Sequence, residues 1–159
     1  MSKESLVLKI IISKQRLLLI ENREVKREYR ISSSKYGIGN KAGSNKTPLG
    51  MHRVVSKLGR NACLGAIFKQ RRNTGKIARI NKDSGDLITT RILRLEGLEN
   101  GVNRGKGIDS FQRCIYIHGT PEEKMIGKPA SHGCIRMKNR DIIKLFNLVK
   151  RDTLVEIKK

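Results

Sequence analysis

His118-Gly119-Thr120 and Ser131-His132-Gly133-Cys134-Ile135-Arg136-Met137 bring two imidazoles and a thiol into one short stretch of chain. Together they suit nucleophilic catalysis by cysteine. A thiol near its ordinary pKa of about 8.5 is only a few per cent ionised at neutral pH, so a working cysteine needs a base or a positive field beside it. His118 and His132 both offer one. Gly133 leaves the backbone next to the thiol free of a side chain. A substrate carbonyl could therefore come close to Cys134 and meet main-chain N–H groups, an oxyanion hole with no charged residue in it.

His118 lies sixteen positions before Cys134, too far for one strand or one helical turn but suited to a strand, a loop and a return. Residues 111–117 are strand-like, which puts His118 at a strand end. Thr120-Pro121 then opens a polar connection to Ala130 that can fold His118 back over Cys134. Upstream, residues 6–12, 16–20 and 25–31 are apolar runs separated by short polar turns, which predicts a β-meander. Residues 77–80 and 87–95 predict two more strands, and the Gly-rich run 97–107 a surface loop that borders the cleft. The glycines of 37–43 match neither nucleotide-binding spacing and read as a turn. Beyond the motif, Asn139 predicts a helix cap, Asp141 favours the helix N-terminus, and Ile142, Ile143, Leu145, Phe146 and Val149 recur at helical spacing. One amphipathic helix over about 139–150 should pack on the sheet, followed by a last strand at 153–157, which makes the fold mainly β.

These residues resemble the L,D-transpeptidase catalytic domain family, whose pattern is a His-Gly pair, a loop of a dozen or so residues, and Ser-His-Gly-Cys. Thr47-Pro48-Leu49-Gly50 resembles the Thr-Pro-x-Gly element that such domains carry upstream. The resemblance covers residues 6–157 and implies a β-sandwich. It also implies acyl transfer on peptidoglycan stem peptides: Cys134 attacks the carbonyl of a diaminopimelate-like third residue, expels the terminal D-alanine and holds a thioester. A side-chain amine of a second stem then resolves the thioester into a cross-link between third-position residues. Water in place of that amine would make the same site an L,D-carboxypeptidase. By the same resemblance His118 is the general base, oriented by a backbone carbonyl, here that of Gly119. Ser131 and His132 position the nucleophile loop, and N–H groups around His132, Gly133 and Cys134 face the oxyanion. Some members carry Asn two positions after the cysteine where this chain has Arg136, a residue suited to anchoring a substrate carboxylate or bracing the loop.

Other chemistry fits less well. His118, His132 and Cys134 could be three ligands of a catalytic zinc, but no Cys-x-x-Cys or His-Glu-x-x-His accompanies them, so no metal or cofactor is expected. Cys63 and Cys114 read as small buried hydrophobes, and His52 as a partly exposed strand residue, with a place at the cleft rim as the alternative. Aromatic residues make up only 4% of the 159 positions, so Ile, Leu and Val must fill the core of a single domain spanning residues 1–159.

Thirty-five Lys and Arg against fourteen Asp and Glu give a net charge of +21. Such a field attracts polyanions. The cations are spread along the chain without a helix-turn-helix, RNA-recognition or zinc-finger pattern, which argues against specific nucleic-acid binding and is compatible with anionic wall polymers. Runs such as Lys69-Gln70-Arg71-Arg72 read as solvated faces. An acid within Met1-Ser2-Lys3-Glu4 and the cations Lys9, Lys14 and Arg16 break any secretory or membrane-spanning apolar run. The family resemblance implies a cell-envelope location, with the cytoplasm as the alternative, and a monomer is assumed.

Overall fold

The computed structural model describes residues 5–159; Met1-Ser2-Lys3-Glu4, on which part of the leader argument rests, lies outside them. The meander is present as β1 (Leu6–Ile11), β2 (Arg16–Glu21) and β3 (Glu24–Ser32), each antiparallel to the next. Alternation drives it: Leu8, Ile10, Leu17, Leu19 and Ile31 point into the core while their neighbours face outward. Asn22 and Arg23, at φ 50° and 68°, close the second hairpin in the left-handed geometry that matches strand twist.

The remaining strands are β4 (Gly50–Leu58), β5 (Ala66–Lys69), β6 (Arg72–Ile77), β7 (Ile88–Gly97), β8 (Tyr116–Gly119), β9 (Ile135–Met137) and β10 (Leu154–Lys158). They hydrogen-bond in the order β4-β10-β1-β2-β3-β9-β8-β7-β5-β6, and β4 also pairs with β7. The sandwich is therefore a sheet curled until its two ends meet, with the β5–β6 hairpin continuing beside β7 where β4 stops. Leu, Ile and Val dominate the core inside this ring, and Met137 and Phe146 are core members too.

One helix, α1 (Asn139–Leu148), lays Ile142, Leu145 and Phe146 on the sheet, and Val149 follows in extended backbone. Asp141 stands in its first turn, where the helix dipole favours a carboxylate. The N-cap is Lys138, one residue before the expected Asn139 and without a side-chain cap bond. Asn139 is drawn into the protein instead, as described below.

Two expected strands are displaced. Residues 77–80 do not form one; the strand there is Arg72–Ile77, a polar segment recruited by pairing with β5 across the left-handed Gln70–Arg71 turn (φ 48° and 64°). Residues 111–114 form turns, with Cys114 in the left-handed region at φ 57°, and β8 starts only at Tyr116. Among the described residues, no helix is long and apolar enough to cross a membrane.

Candidate active site

β8 and β9 lie side by side and run parallel, with Ile117 opposite Ile135, His118 opposite Arg136 and Gly119 opposite Met137. A parallel pair needs a long crossover, and the segment from Thr120 to Cys134 supplies it. Cys134 is the last residue of that crossover, level with Tyr116, whose N–H donates to its Sγ at 3.3 Å. His118 and Cys134 are thus diagonal neighbours across two strands, with Cα atoms about 8 Å apart from strand spacing and rise.

The imidazole of His118 is held rigidly. Its Nδ1–H donates to the Gly119 carbonyl at 2.6 Å, and because a carbonyl can only accept, this fixes the tautomer and leaves Nε2 with a free lone pair. Burial pulls its pKa down to about 4 against the pull of that hydrogen bond, so the ring is neutral at physiological pH. Gly119 must be glycine: a Cβ there would lie 2.5 Å from Asn139 Oδ1 and 2.7 Å from the Thr89 carbonyl.

The thiol is also neutral at rest. Burial pushes Cys134 up to about 12, outweighing the Tyr116 N–H that favours the thiolate. Sγ donates to the Cys114 carbonyl at 3.3 Å, and no hydrogen bond joins thiol to imidazole among the described residues. The loop that carries it is pinned from three sides. Ser131 Oγ donates to the Cys134 carbonyl at 2.6 Å and accepts the Gly133 N–H at 3.2 Å. Thr47 Oγ1 donates to the Gly133 carbonyl at 3.0 Å and accepts the Ser34 N–H at 2.9 Å. Ser131 N–H reaches the Ser33 carbonyl at 2.9 Å. Gly133 sits at φ +125°, a conformation that favours glycine, and its N–H is engaged by Ser131, whereas among the described residues the N–H groups of His132 and Cys134 have no partner.

Arg136 does not face solvent. It is 2% exposed and binds Asp86 at 2.8 Å and Glu122 at 3.3 Å. The same Asp86 lies 3.5 Å from Nδ1 of His132, whose ring is 5.8 Å from that of Tyr36. Burial raises the Asp86 pKa, but the Arg136 hydrogen bond and the fields of His118, Arg136 and His132 outweigh it and hold the carboxylate below its usual range. Asp86 was not visible as a site residue in the sequence, where it looks like any turn acid.

Three expectations change. His52 is fully buried, with Nδ1 donating to the Gly50 carbonyl at 3.0 Å and Nε2 accepting from Ser110 Oγ at 2.8 Å, so it belongs to the interior and not to a rim. Cys63 is exposed and Cys114 only partly buried. Neither is a fully buried core thiol: both lie outside the strands, and Cys114 packs only at the margin of the cluster formed by Ala66, Phe68, Ile92 and Tyr116. The glycine loops do border the cleft: Cys134 and His132 line a cavity of about 380 Å³ together with Ala42, Gly43, Gly107 and Arg113.

The YkuD family, described as the L,D-transpeptidase catalytic domain, matches the chain over residues 6–157. A putative L,D-transpeptidase YkuD of Bacillus licheniformis is 51% identical over 41 residues, which is 26% of this chain and 25% of that protein. A putative L,D-transpeptidase YqjB of Bacillus subtilis is 44% identical over 52 residues, 33% of this chain and 28% of that protein. The aligned stretches thus cover about a quarter of those relatives. L,D-transpeptidase 3 of Mycobacterium tuberculosis, solved with a faropenem-derived adduct, shares the fold at a TM-score of 0.60 and 16% identity, covering 98% of this chain and 61% of that one.

Proposed function

The chain belongs to the L,D-transpeptidase catalytic domain family, and from that premise we propose that it is a cysteine acyltransferase acting on peptidoglycan tetrapeptide stems in the cell envelope. The carrying observation is the His118 imidazole, locked by Gly119 with Nε2 free, neutral by burial, one strand away from a thiol at the wall of a cavity. In this reading Nε2 takes the Cys134 proton as Sγ attacks the carbonyl of the third stem residue. The oxyanion draws on the N–H groups of His132 and Cys134. Collapse breaks the amide bond, the imidazolium returns the proton to the leaving D-alanine amine, and a thioester remains. The amine of a second stem attacks that thioester, His118 accepts its proton, and the new amide forms as the thiol is restored.

A neutral pair at rest means that proton transfer accompanies attack, since no thiolate waits in the cavity. Arg136, spent on Asp86 and Glu122, braces the loops at residues 86 and 122 against β9 in this scheme.

The test is incubation of the reduced protein with disaccharide tetrapeptides, read by mass spectrometry. Loss of D-alanine with dimer formation is expected; D-alanine loss with tripeptide monomers alone would assign hydrolysis instead. A penem or carbapenem, the lactam class seen on the mycobacterial neighbour, should acylate Cys134 and leave Cys63 and Cys114 free, and Cys134→Ala should abolish the adduct. An adduct on either other thiol would sink the assignment.

A further inference from the structure

The cavity that holds Cys134 also holds a cation with no acid to neutralise it. Arg113 enters from the turn before β8, partly buried. Its Nη1 donates to the Gly39 carbonyl at 3.3 Å and its Nη2 to the Lys46 carbonyl at 2.6 Å. These two carbonyls, from the loop between β3 and β4, fix the plane of the guanidinium. They supply only partial charge, and Arg113 ion-pairs with no carboxylate among the described residues. Burial pulls its pKa down from the ordinary arginine value, with the Cys134 sulfur pulling the other way.

Asp109, four residues before it, lines the same cavity without engaging it. Its oxygens are turned to backbone, accepting the Gly105 N–H at 3.1 Å and the Gln112 N–H at 3.0 Å, and these bonds hold the turn from which Arg113 projects. A guanidinium presents five donors in a rigid fork suited to a carboxylate, and a buried charge left uncompensated is costly. The cavity is thus built with one half of an ion pair and an opening where the other half would go.

We propose that Arg113 is the group that binds the terminal carboxylate of the residue expelled from the acyl donor, and so is the side chain through which the site reads the end of the tetrapeptide. This rests on the acyl-transfer reading above. In a tetrapeptide the leaving residue carries its carboxylate two bonds from the scissile nitrogen, so the group that meets it must line the same cavity as Sγ, as Arg113 does, with its charge within reach of the sulfur. A pentapeptide puts a peptide bond where that charge belongs and forfeits the charged contact. Arg113 then acts by reading the substrate, in contrast to a general field on the thiol, which would speed every donor alike.

The experiment compares a tetrapeptide donor having a free terminal carboxylate with the same peptide ending in a carboxamide, in the wild type, Arg113→Gln and Arg113→Lys. A hydrogen-bonded charge contact supports about a 10- to 100-fold preference for the free acid in the wild type. Arg113→Gln should erase that preference by lowering kcat/KM on the acid, mainly through KM, while the carboxamide rate stays within about twofold. Arg113→Lys, keeping the charge without the fork, should retain an intermediate preference. Because the two peptides are compared within each protein, a partly loosened loop cancels from the ratio. Preference surviving in Arg113→Gln, or equal loss on both peptides, overturns the assignment. A lactam adduct at Cys134 with no acid preference in the wild type overturns it alone, whereas neither adduct nor turnover of either peptide overturns the acyl-transfer reading with it.

Discussion

His118 and Cys134 divide the labour of the proposed site through opposite effects of the same cause. Burial discourages charge on both, holding the imidazole unprotonated at about 4 and the thiol protonated at about 12. A small alkylating reagent should therefore react slowly with Cys134 at pH 7 and faster as pH rises above about 9, with no plateau near neutrality; a plateau there would reveal a resting thiolate. His118→Ala should lower acylation by the lactam about 10²- to 10⁴-fold, the usual share of general base catalysis, and His132→Ala should cost less. Equal acylation rates for wild type and His118→Ala would remove the base role. His118, Cys134, Ser131 and Gly119 were legible in sequence because their spacing is local and their types are chemically distinctive. Asp86 and Arg113 were not: a turn acid and one cation among thirty-five Lys and Arg carry no local mark, and only the folded chain shows that the first reaches His132 and Arg136 and the second lines the cavity of the thiol.

Strands and helix were read well wherever one face is apolar, as in β1, β2, β7 and α1, and poorly where tertiary pairing decides, as in β6, whose six residues are all exposed. Both displaced strands begin just after left-handed residues that are not glycine, Gln70 and Arg71 before β6 and Cys114 before β8, so no turn residue in the sequence marks where they start. Two side chains hold elements together at the site. Thr47 couples the Thr-Pro-x-Gly segment to the nucleophile loop, so Thr47→Val should cost about 1–2 kcal/mol of stability yet reduce acylation by about 10- to 100-fold through a shifted loop, measured by urea unfolding and lactam kinetics. Asn139 gives the contrasting case. Its Oδ1 accepts Thr89 Oγ1 at 2.6 Å and Thr90 Oγ1 at 2.5 Å, and its Nδ2 donates to the Thr120 carbonyl at 2.8 Å and Glu123 at 2.9 Å. Asn139→Ala strands Thr89 Oγ1, Thr90 Oγ1 and the Thr120 carbonyl in the interior, while Glu123 keeps the backbone N–H of residue 139 at 2.8 Å, and should cost about 2–4 kcal/mol, with residual acylation tracking the folded fraction.

For the molecule as a whole, the buried histidines set how stability follows pH. His52 and His118 both have folded pKa values of about 4, below the ordinary 6.5, so the unfolded chain binds more protons between those values and stability falls as pH drops through that window. Each contributes up to about 3 kcal/mol above pH 6.5. Cys134 acts in reverse, its raised pKa removing stability as pH climbs from about 9 toward 12. Urea midpoints should thus be flat between about pH 6.5 and 9 and fall on both sides; a constant midpoint down to pH 4.5 would contradict the buried neutral histidines. The charge of +21 predicts a second whole-molecule behaviour: capture of an anionic wall polymer should weaken steeply with salt, because screening cuts the reach of exposed charge to about 8–10 Å, while acylation by a small neutral donor hardly changes. Curling the sheet until β4 meets β7 leaves unshared strand edge along β6 and along the first part of β3, where pairing with β9 covers only Ile31 and Ser32. β6 carries Arg72 and Lys76 and no acid, whereas the free part of β3 mixes Lys26, Arg27 and Arg30 with Glu24 and Glu28, and Lys26 lies 3.0 Å from Glu24. Another copy seeking to extend the ladder at β6 would set its own Arg72 and Lys76 against these cations, so that edge resists fibril growth for as long as its charges stay unscreened, and concentrated salt or a neutralising polyanion is what would release it.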